Sequence, residues 1–171
     1  PKEIATIPGV DLVLGADKKF NLDEYLNDIS KRKNSEIHSC DIESIDYFFP
    51  AFSTYERTRA FLKIQDGCDY NCSYCTIPMA RGKSRSPKIK KTIFEFESLI
   101  NKGAREIVLT GVNIGDFGSN SNETFFDLLK ELDKIGGARI RISSLEPNLL
   151  TDEIIYFISE SNSIVPHLHL P

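Results

Sequence analysis

No apolar run in this chain approaches the roughly 18 residues that a membrane-spanning helix needs, and no basic segment leading into an apolar one marks a secretory signal. Cysteine is scarce as well. There are four in 171 residues, three of them crowded into eight positions. Such crowding excludes a disulfide framework and is better suited to sharing a metal, so the expected setting is a reducing cytoplasm. Internal repeats and low-complexity tracts are absent. Residue 1 is a proline, and the chain stops at Pro171 just after a strand-like segment whose edge would be unpaired; a piece of a longer protein is expected.

What is present is ordinary in bulk, with 40% hydrophobic and 27% charged residues, as in globular domains. The net charge of −4 hides an asymmetry: residues 57–91 carry nine Lys/Arg against Asp66 and Asp69. That stretch is +7 and the remainder −11. A positive stripe of this kind suits a phosphate-bearing partner, nucleic acid included, or is a solvated surface.

Along the chain, residues 2–7 read as a short helix and Val10 to Gly15 as a strand. Leu22 to Lys33, after an Asn21 cap, reads as a helix with Leu22, Tyr25, Leu26 and Ile29 on one face. One strand and two helices cannot enclose a core, so residues 1–35 are expected to be the edge of another domain. Residues 36–57 form a polar linker with scattered aromatics. From residue 58 to 171 a β/α alternation follows: strand Arg59–Gln65, a helix capped by Ser86-Pro87 and closed by Gly103, and strand Glu106–Thr110. Helix Thr124–Ile135 ends at Gly136-Gly137; then come strand Arg139–Ser143, a helix from the Thr151 cap to Glu160, and strand Ile164–Leu170. The fold class expected is α/β with a parallel sheet, four strands being too few to close a barrel. Reactive groups gather at the carboxyl ends of those strands, the ligand face of parallel α/β folds.

The first such group is Gly67-Cys68-Asp69-Tyr70-Asn71-Cys72-Ser73-Tyr74-Cys75, a C-x3-C-x2-C loop directly after the first strand of the alternation. A cubane 4Fe–4S cluster usually takes four cysteines. Three leave one iron open to bind something else, which suggests a cluster that does chemistry. The competing readings are a structural zinc site, with Cys40 or His38 as fourth ligand, and buried inert thiols. Arg81 and Arg85, four apart beyond the loop, suit a nucleic-acid backbone or a substrate carboxylate because a guanidinium donates two parallel hydrogen bonds; equally, they could tie the loop down by local salt bridges. His167 and His169, two apart, suit packing or hydrogen bonding better than metal ligation. Cys40 reads as a spectator.

The loop, with Tyr74 before its last cysteine, resembles the signature of radical S-adenosylmethionine (SAM) enzymes. Phe61-Leu62-Lys63-Ile64-Gln65-Asp66-Gly67-Cys68, Ile77-Pro78-Met79-Ala80-Arg81-Gly82-Lys83-Ser84-Arg85-Ser86 and Leu109-Thr110-Gly111-Val112-Asn113-Ile114-Gly115 are similar to the methylthiotransferases of that superfamily. So are Ser143-Ser144-Leu145-Glu146-Pro147 and His167-Leu168-His169-Leu170-Pro171. The Gly-Val-Asn-Ile-Gly segment is similar to the branch acting on N6-threonylcarbamoyladenosine at position 37 of tRNA.

The resemblance implies a partial, open parallel β/α radical SAM barrel, preceded by the edge of an N-terminal methylthiotransferase domain. It implies one 4Fe–4S cluster on Cys68, Cys72 and Cys75, whose open iron chelates SAM, and cleavage of the sulfonium to a 5′-deoxyadenosyl radical. Tyr74 would lie against the adenine. Thr110, Gly111 and Asn113 would meet the methionine amino group, and Ser143 and Glu146 the ribose or the amino-acid end. The implied partners are tRNA and an electron donor. Family members carry a second, auxiliary cluster on three N-terminal cysteines and a C-terminal RNA-binding domain. Neither lies in this chain, which is not expected to complete methylthiolation alone. Other readings are a methylthiotransferase on isopentenyladenosine tRNA or a ribosomal protein, another radical SAM enzyme, or a zinc-stapled RNA-binding module using residues 57–91.

Overall fold

The computed structural model describes residues 1–26, 30–53 and 59–171. Its elements are α1 (Lys2–Ala5), β1 (Leu12–Leu14), β2 (Glu36–His38), β3 (Phe52–Ser53), β4 (Ala60–Lys63), α2 (Ile77–Arg81), α3 (Ile89–Asn101), β5 (Glu106–Thr110), α4 (Phe125–Ile135), β6 (Arg139–Ile142) and α5 (Asp152–Glu160). Short 3-10 turns stand at Leu22–Tyr25, Ile42–Ser44, Ile114–Asp116 and Pro147–Leu149.

β1 and β2 form a small parallel pair, and the larger sheet has the order β3-β4-β5-β6. In the larger sheet β4, β5 and β6 run parallel, with Leu62 opposite Leu109 and Leu109 opposite Ile142. The period of two then sorts the side chains. Ala60, Leu62, Ile107, Leu109, Ile140 and Ile142 join one core with Phe96 and Leu99 of α3, Leu128, Leu129 and Leu132 of α4, and Ile154 and Ile158 of α5. Each fully buried Leu or Ile of that set contributes about 1.5–3 kcal/mol. The helices therefore cover one face. Phe61, Lys63, Thr110 and Arg141 alternate onto the other.

The caps explain the helix ends. Thr124 Oγ1 accepts the Asp127 N–H (3.1 Å) and Thr151 Oγ1 the Ile154 N–H (3.3 Å), each satisfying a donor that the first helical turn leaves open. Gly136 and Gly137, both at positive φ, end α4 as expected.

Five expectations are corrected. The helix over Leu22–Lys33 is, among the described residues, a 3-10 turn at Leu22–Tyr25; Ile29 lies outside them. The 36–57 stretch contributes β2, paired to β1, and β3, paired to β4. The sheet is mixed, since β3 is antiparallel to β4. α3 starts at Ile89 rather than at a Ser86 cap: the Glu123 carboxylate accepts the Ile89 N–H from across the structure (3.1 Å), while Ser86 Oγ accepts the Gly118 N–H (2.9 Å). The strand over Ile164–Leu170 is reduced to two parallel bridges, Ile140 to Ile164 and Ser144 to His169. Pro166 lies between them, with no N–H to give the ladder, and the His167 N–H closes a tight turn onto the Val165 carbonyl (2.7 Å).

Candidate functional site

The cysteine loop is closed at its base. Asp66 and Arg85 exchange both backbone hydrogen bonds (3.0 and 2.9 Å), and the Cys68 N–H donates to the Gly82 carbonyl (3.0 Å). Gly67 makes this closure possible. Its φ of +73° suits glycine, and a Cβ there would meet the Lys83 carbonyl oxygen at 2.0 Å. Inside the loop α2 forms, and its last turn places Arg81 beside Asp66.

Two buried side chains do the joining. Gln65, completely buried, accepts the N–H groups of Val112 and Asn113 at 2.9 Å each and donates to the Gly67 carbonyl (2.8 Å) and to Ser84 Oγ (3.0 Å). It thereby fixes the entry of the cysteine loop to the exit of β5. Asp66 carries Lys63 (2.8 Å), Arg81 (3.0 Å) and Arg85 (3.1 Å). Burial alone would push its carboxyl up, but the hydrogen bonds and charges of Lys63, Arg81 and Arg85 hold it down at about 2. Of the two arginines expected to meet a partner, Arg85 is largely buried in this pairing, while Arg81, also paired with Asp66, is half-exposed.

A cavity of about 600 Å³ lies on the face of the sheet opposite the helices. Phe61 and Lys63 line it from β4 with Gln65 just beyond, Thr110 from the end of β5 with Gly111 and Val112 after it, Arg81 from the end of α2, and Ser144 from the loop after β6. Gly111 has no room for a side chain, since a Cβ would meet Ile114 Cγ2 at 2.8 Å and Gln65 Oε1 at 2.9 Å. Of the residues expected at the SAM site, Thr110 and Gly111 line the cavity; from β6 it is Ser144, two residues past the strand's end, and not Ser143, that lines it. Asn113 is buried and turned inward, its amide donating to Asp116 Oδ2 (3.2 Å) and accepting the Glu146 N–H (3.3 Å). It braces the exits of β5 and β6. Glu146 and Asp69 stand as charged neighbours of Asp116, whose carboxyl is pushed up by burial first and by those two charges next.

Tyr74 is 92% exposed, so it is no core aromatic. The Tyr70 hydroxyl accepts Asn148 Nδ2 (2.9 Å), tying the loop to the exit of β6. Cys68 and Cys75 are partly buried, Cys72 is exposed, and none is in a disulfide; burial pushes the Cys68 thiol up. His169 meets Ser144 Oγ at 3.3 Å, as its hydrogen-bonding reading has it.

Three free thiols on one exposed loop fit the donor set of an iron–sulfur cluster. Among the described residues no three His, Cys, Asp or Glu side chains are gathered as a single metal ion requires. A cubane spreads its thiolates over different irons, and metal binding commonly completes its own site. Of the fourth ligands the zinc reading names, His38 is taken up by the Tyr25 ring (4.7 Å) and Glu36 (3.3 Å).

Sequence reasoning missed Lys63, Gln65, Asp66 and Ser84. The signal was there: Lys63 and Gln65 are polar residues at strand spacing, on the face that an apolar Leu62 and Ile64 do not use.

Comparison with known proteins gives the family. The Radical SAM superfamily profile matches residues 62–170. A "Threonylcarbamoyladenosine tRNA methylthiotransferase MtaB" of Bacillus subtilis (strain 168) is 40% identical over 184 residues, covering 100% of this chain and 39% of the relative. The protein of the same name from Thermotoga maritima is 34% identical over 172 residues, covering 99% of the chain and 39% of that relative. A "tRNA-2-methylthio-N(6)-dimethylallyladenosine synthase" of Clostridium tetani is 32% identical over 171 residues, covering 98% and 38%. The chain thus spans about two fifths of the length of these relatives. That superfamily implies a 4Fe–4S cluster and SAM. No helix of the described residues is long and apolar enough to cross a membrane. The chain belongs to the radical SAM superfamily, and its relatives there are methylthiotransferases.

Proposed function

We propose that this chain supplies the SAM-cleaving part of a tRNA methylthiotransferase that converts N6-threonylcarbamoyladenosine at position 37 to its 2-methylthio derivative. The observation that carries it is the placement of Cys68, Cys72 and Cys75 on a loop whose base is pinned by Gln65 and Asp66 at the carboxyl end of a parallel sheet, beside a cavity. Relatives named for the threonylcarbamoyladenosine reaction support the substrate.

In this reading the three cysteines hold one 4Fe–4S cluster, and a second, auxiliary cluster belongs to segments outside this chain. Bound and reduced, the cluster supplies the electron that breaks the carbon–sulfur bond of SAM. The chain's own residues orient and shield. Tyr74 offers a flat exposed ring to the adenine, and Thr110 and Gly111 form the wall of the SAM site. Gln65 and Asn113 hold that wall through backbone and side-chain bonds. Glu146 stands near the amino-acid end. Arg81, half-exposed, faces the substrate side, and Lys83 with residues 88–91 meets the tRNA phosphates.

Anaerobic reconstitution of the protein carrying this chain tests the cofactor. The expected result is absorbance near about 400 nm, and replacing Cys68, Cys72 and Cys75 by alanine removes about four irons and the matching share of that band, the auxiliary cluster keeping the rest. Tight stoichiometric zinc without that band would sink the enzyme reading. For the substrate, tRNA nucleosides of cells lacking the gene are compared with wild type; unchanged 2-methylthio-threonylcarbamoyladenosine would refute it.

A further inference from the structure

Among the described residues, the cavity beside the cysteine loop is lined by two cations, Lys63 and Arg81, and by no carboxylate. Three cations share one acid there: Lys63, Arg81 and Arg85 all pair with Asp66. Two positive charges are left over. Arg85 is largely buried and spends its second nitrogen on the carbonyls of Arg81 (2.7 Å) and Lys83 (3.0 Å), so the surplus faces the cavity through the other two. Lys63 is held in place by rings that do not neutralise it, its Nζ lying 5.0 Å from the Phe48 centroid and 5.5 Å from that of Phe20. Elsewhere the lining is apolar, with Phe61, Phe52 and Ile77, and offers the hydroxyls of Thr110 and Ser144. A volume of about 600 Å³ suits a small molecule with a flat body and few anchoring groups.

We propose that Lys63 and Arg81 form the seat of a carboxylate on an adenosine ligand that carries an amino-acid arm, with Lys63 setting the preference for an ionised arm over a neutral one. The proposal rests on the adenosine chemistry of the function proposed above. The open iron of the cluster takes the methionine end of SAM in that reading, which leaves this seat to threonylcarbamoyladenosine through its threonyl end. Lys63 keeps one proton on Asp66 and has two more to donate; Arg81 engages Asp66 through a single nitrogen. An incoming carboxylate completes both without displacing Asp66, and burial makes each such charge-assisted bond count.

The test is binding, read by equilibrium dialysis without turnover, to the protein carrying this chain. Two probes are used: the free nucleoside N6-threonylcarbamoyladenosine and its methyl ester. In the unaltered protein the acid binds about ten- to hundredfold more tightly than the ester. Lys63→Met abolishes that preference and Lys63→Arg restores most of it. Equal binding of acid and ester overturns the proposal. So does an intact preference in a Lys63→Met protein with unchanged circular dichroism. If Lys63→Met does not fold, Arg81→Gln at its half-exposed position carries the same expectation. Normal iron uptake and SAM cleavage with unmodified tRNA would instead sink the methylthiotransferase assignment and leave the seat standing.

Discussion

The side-chain oxygen of Gln65 accepts the backbone N–H of Asn113 at 2.9 Å, joining the mouth of the cysteine loop to the exit of β5 across 48 residues of chain. The same oxygen takes the Val112 N–H, and the amide nitrogen serves Gly67 and Ser84. A buried polar group satisfied on every side positions its partners rigidly, and removing it strands them. Gln65→Leu is expected to destabilise the protein by roughly 3 kcal/mol and to cut iron uptake on reconstitution. Urea unfolding and iron analysis check both. A variant as stable as the parent would show that the loop does not depend on this bridge.

Asp66 makes the site acid-sensitive. Its carboxyl lies at about 2, below the ordinary 3.8. A depressed folded value means that the stabilisation is fully present above about pH 4 and is lost as pH falls toward 2, and it amounts to about 2 kcal/mol. Asp66→Asn removes the charge while three cations remain around it. The variant should be less stable at pH 7 by about 2–4 kcal/mol, with a flatter stability profile between pH 4 and 2. Thermal melts across that range decide it.

Gly67→Ala should be among the most damaging single changes. The substituted residue keeps a φ of +73° and places its Cβ 2.0 Å from the Lys83 carbonyl oxygen. Neither backbone can yield while the Asp66–Arg85 bridge holds. We expect the loop base to open, with loss of iron binding and a stability cost of about 3 kcal/mol or more. Native-like iron uptake by this variant would contradict the loop closure described here.

Tyr74→Ala is expected to behave in the opposite way. At 92% exposed the ring contributes little to folding, so stability should stay within about 0.5 kcal/mol. Affinity for SAM should fall by about two- to tenfold if the ring stacks on adenine. Equal SAM binding in the two proteins would remove Tyr74 from the site.

Much of the frame was legible because it rests on local chemistry. The Thr124 and Thr151 caps, the Gly136-Gly137 stop and the apolar period of α4 each act within one turn of chain. The misplaced elements answer to distant partners. α3 begins where Glu123 caps it, not at Ser86. β2 exists because β1 offers it a partner, although Glu36-Ile37-His38 shows no pattern of its own. The buried Glu106 illustrates the same point within a strand that is otherwise apolar. It is sustained by Arg59 (2.7 Å), Arg139 (2.8 Å) and Arg141 (2.8 Å), and the Arg141 hydrogen bond leads in holding its carboxyl below the ordinary value.

The sequence by itself determined the family and the thiol spacing: three cysteines at C-x3-C-x2-C after a strand, with the motifs that mark the superfamily. Spacing along a chain is a covalent fact and needs no fold to be read. Only the tertiary structure decided which side chains face the cavity and which hold the frame. Asn113 and Arg85 turned inward, Ser144 replaced Ser143, and Lys63, Gln65 and Asp66 became the centre of the site. Those outcomes depend on strand register and on which buried charge finds which partner, and both are set by contacts between residues far apart in sequence.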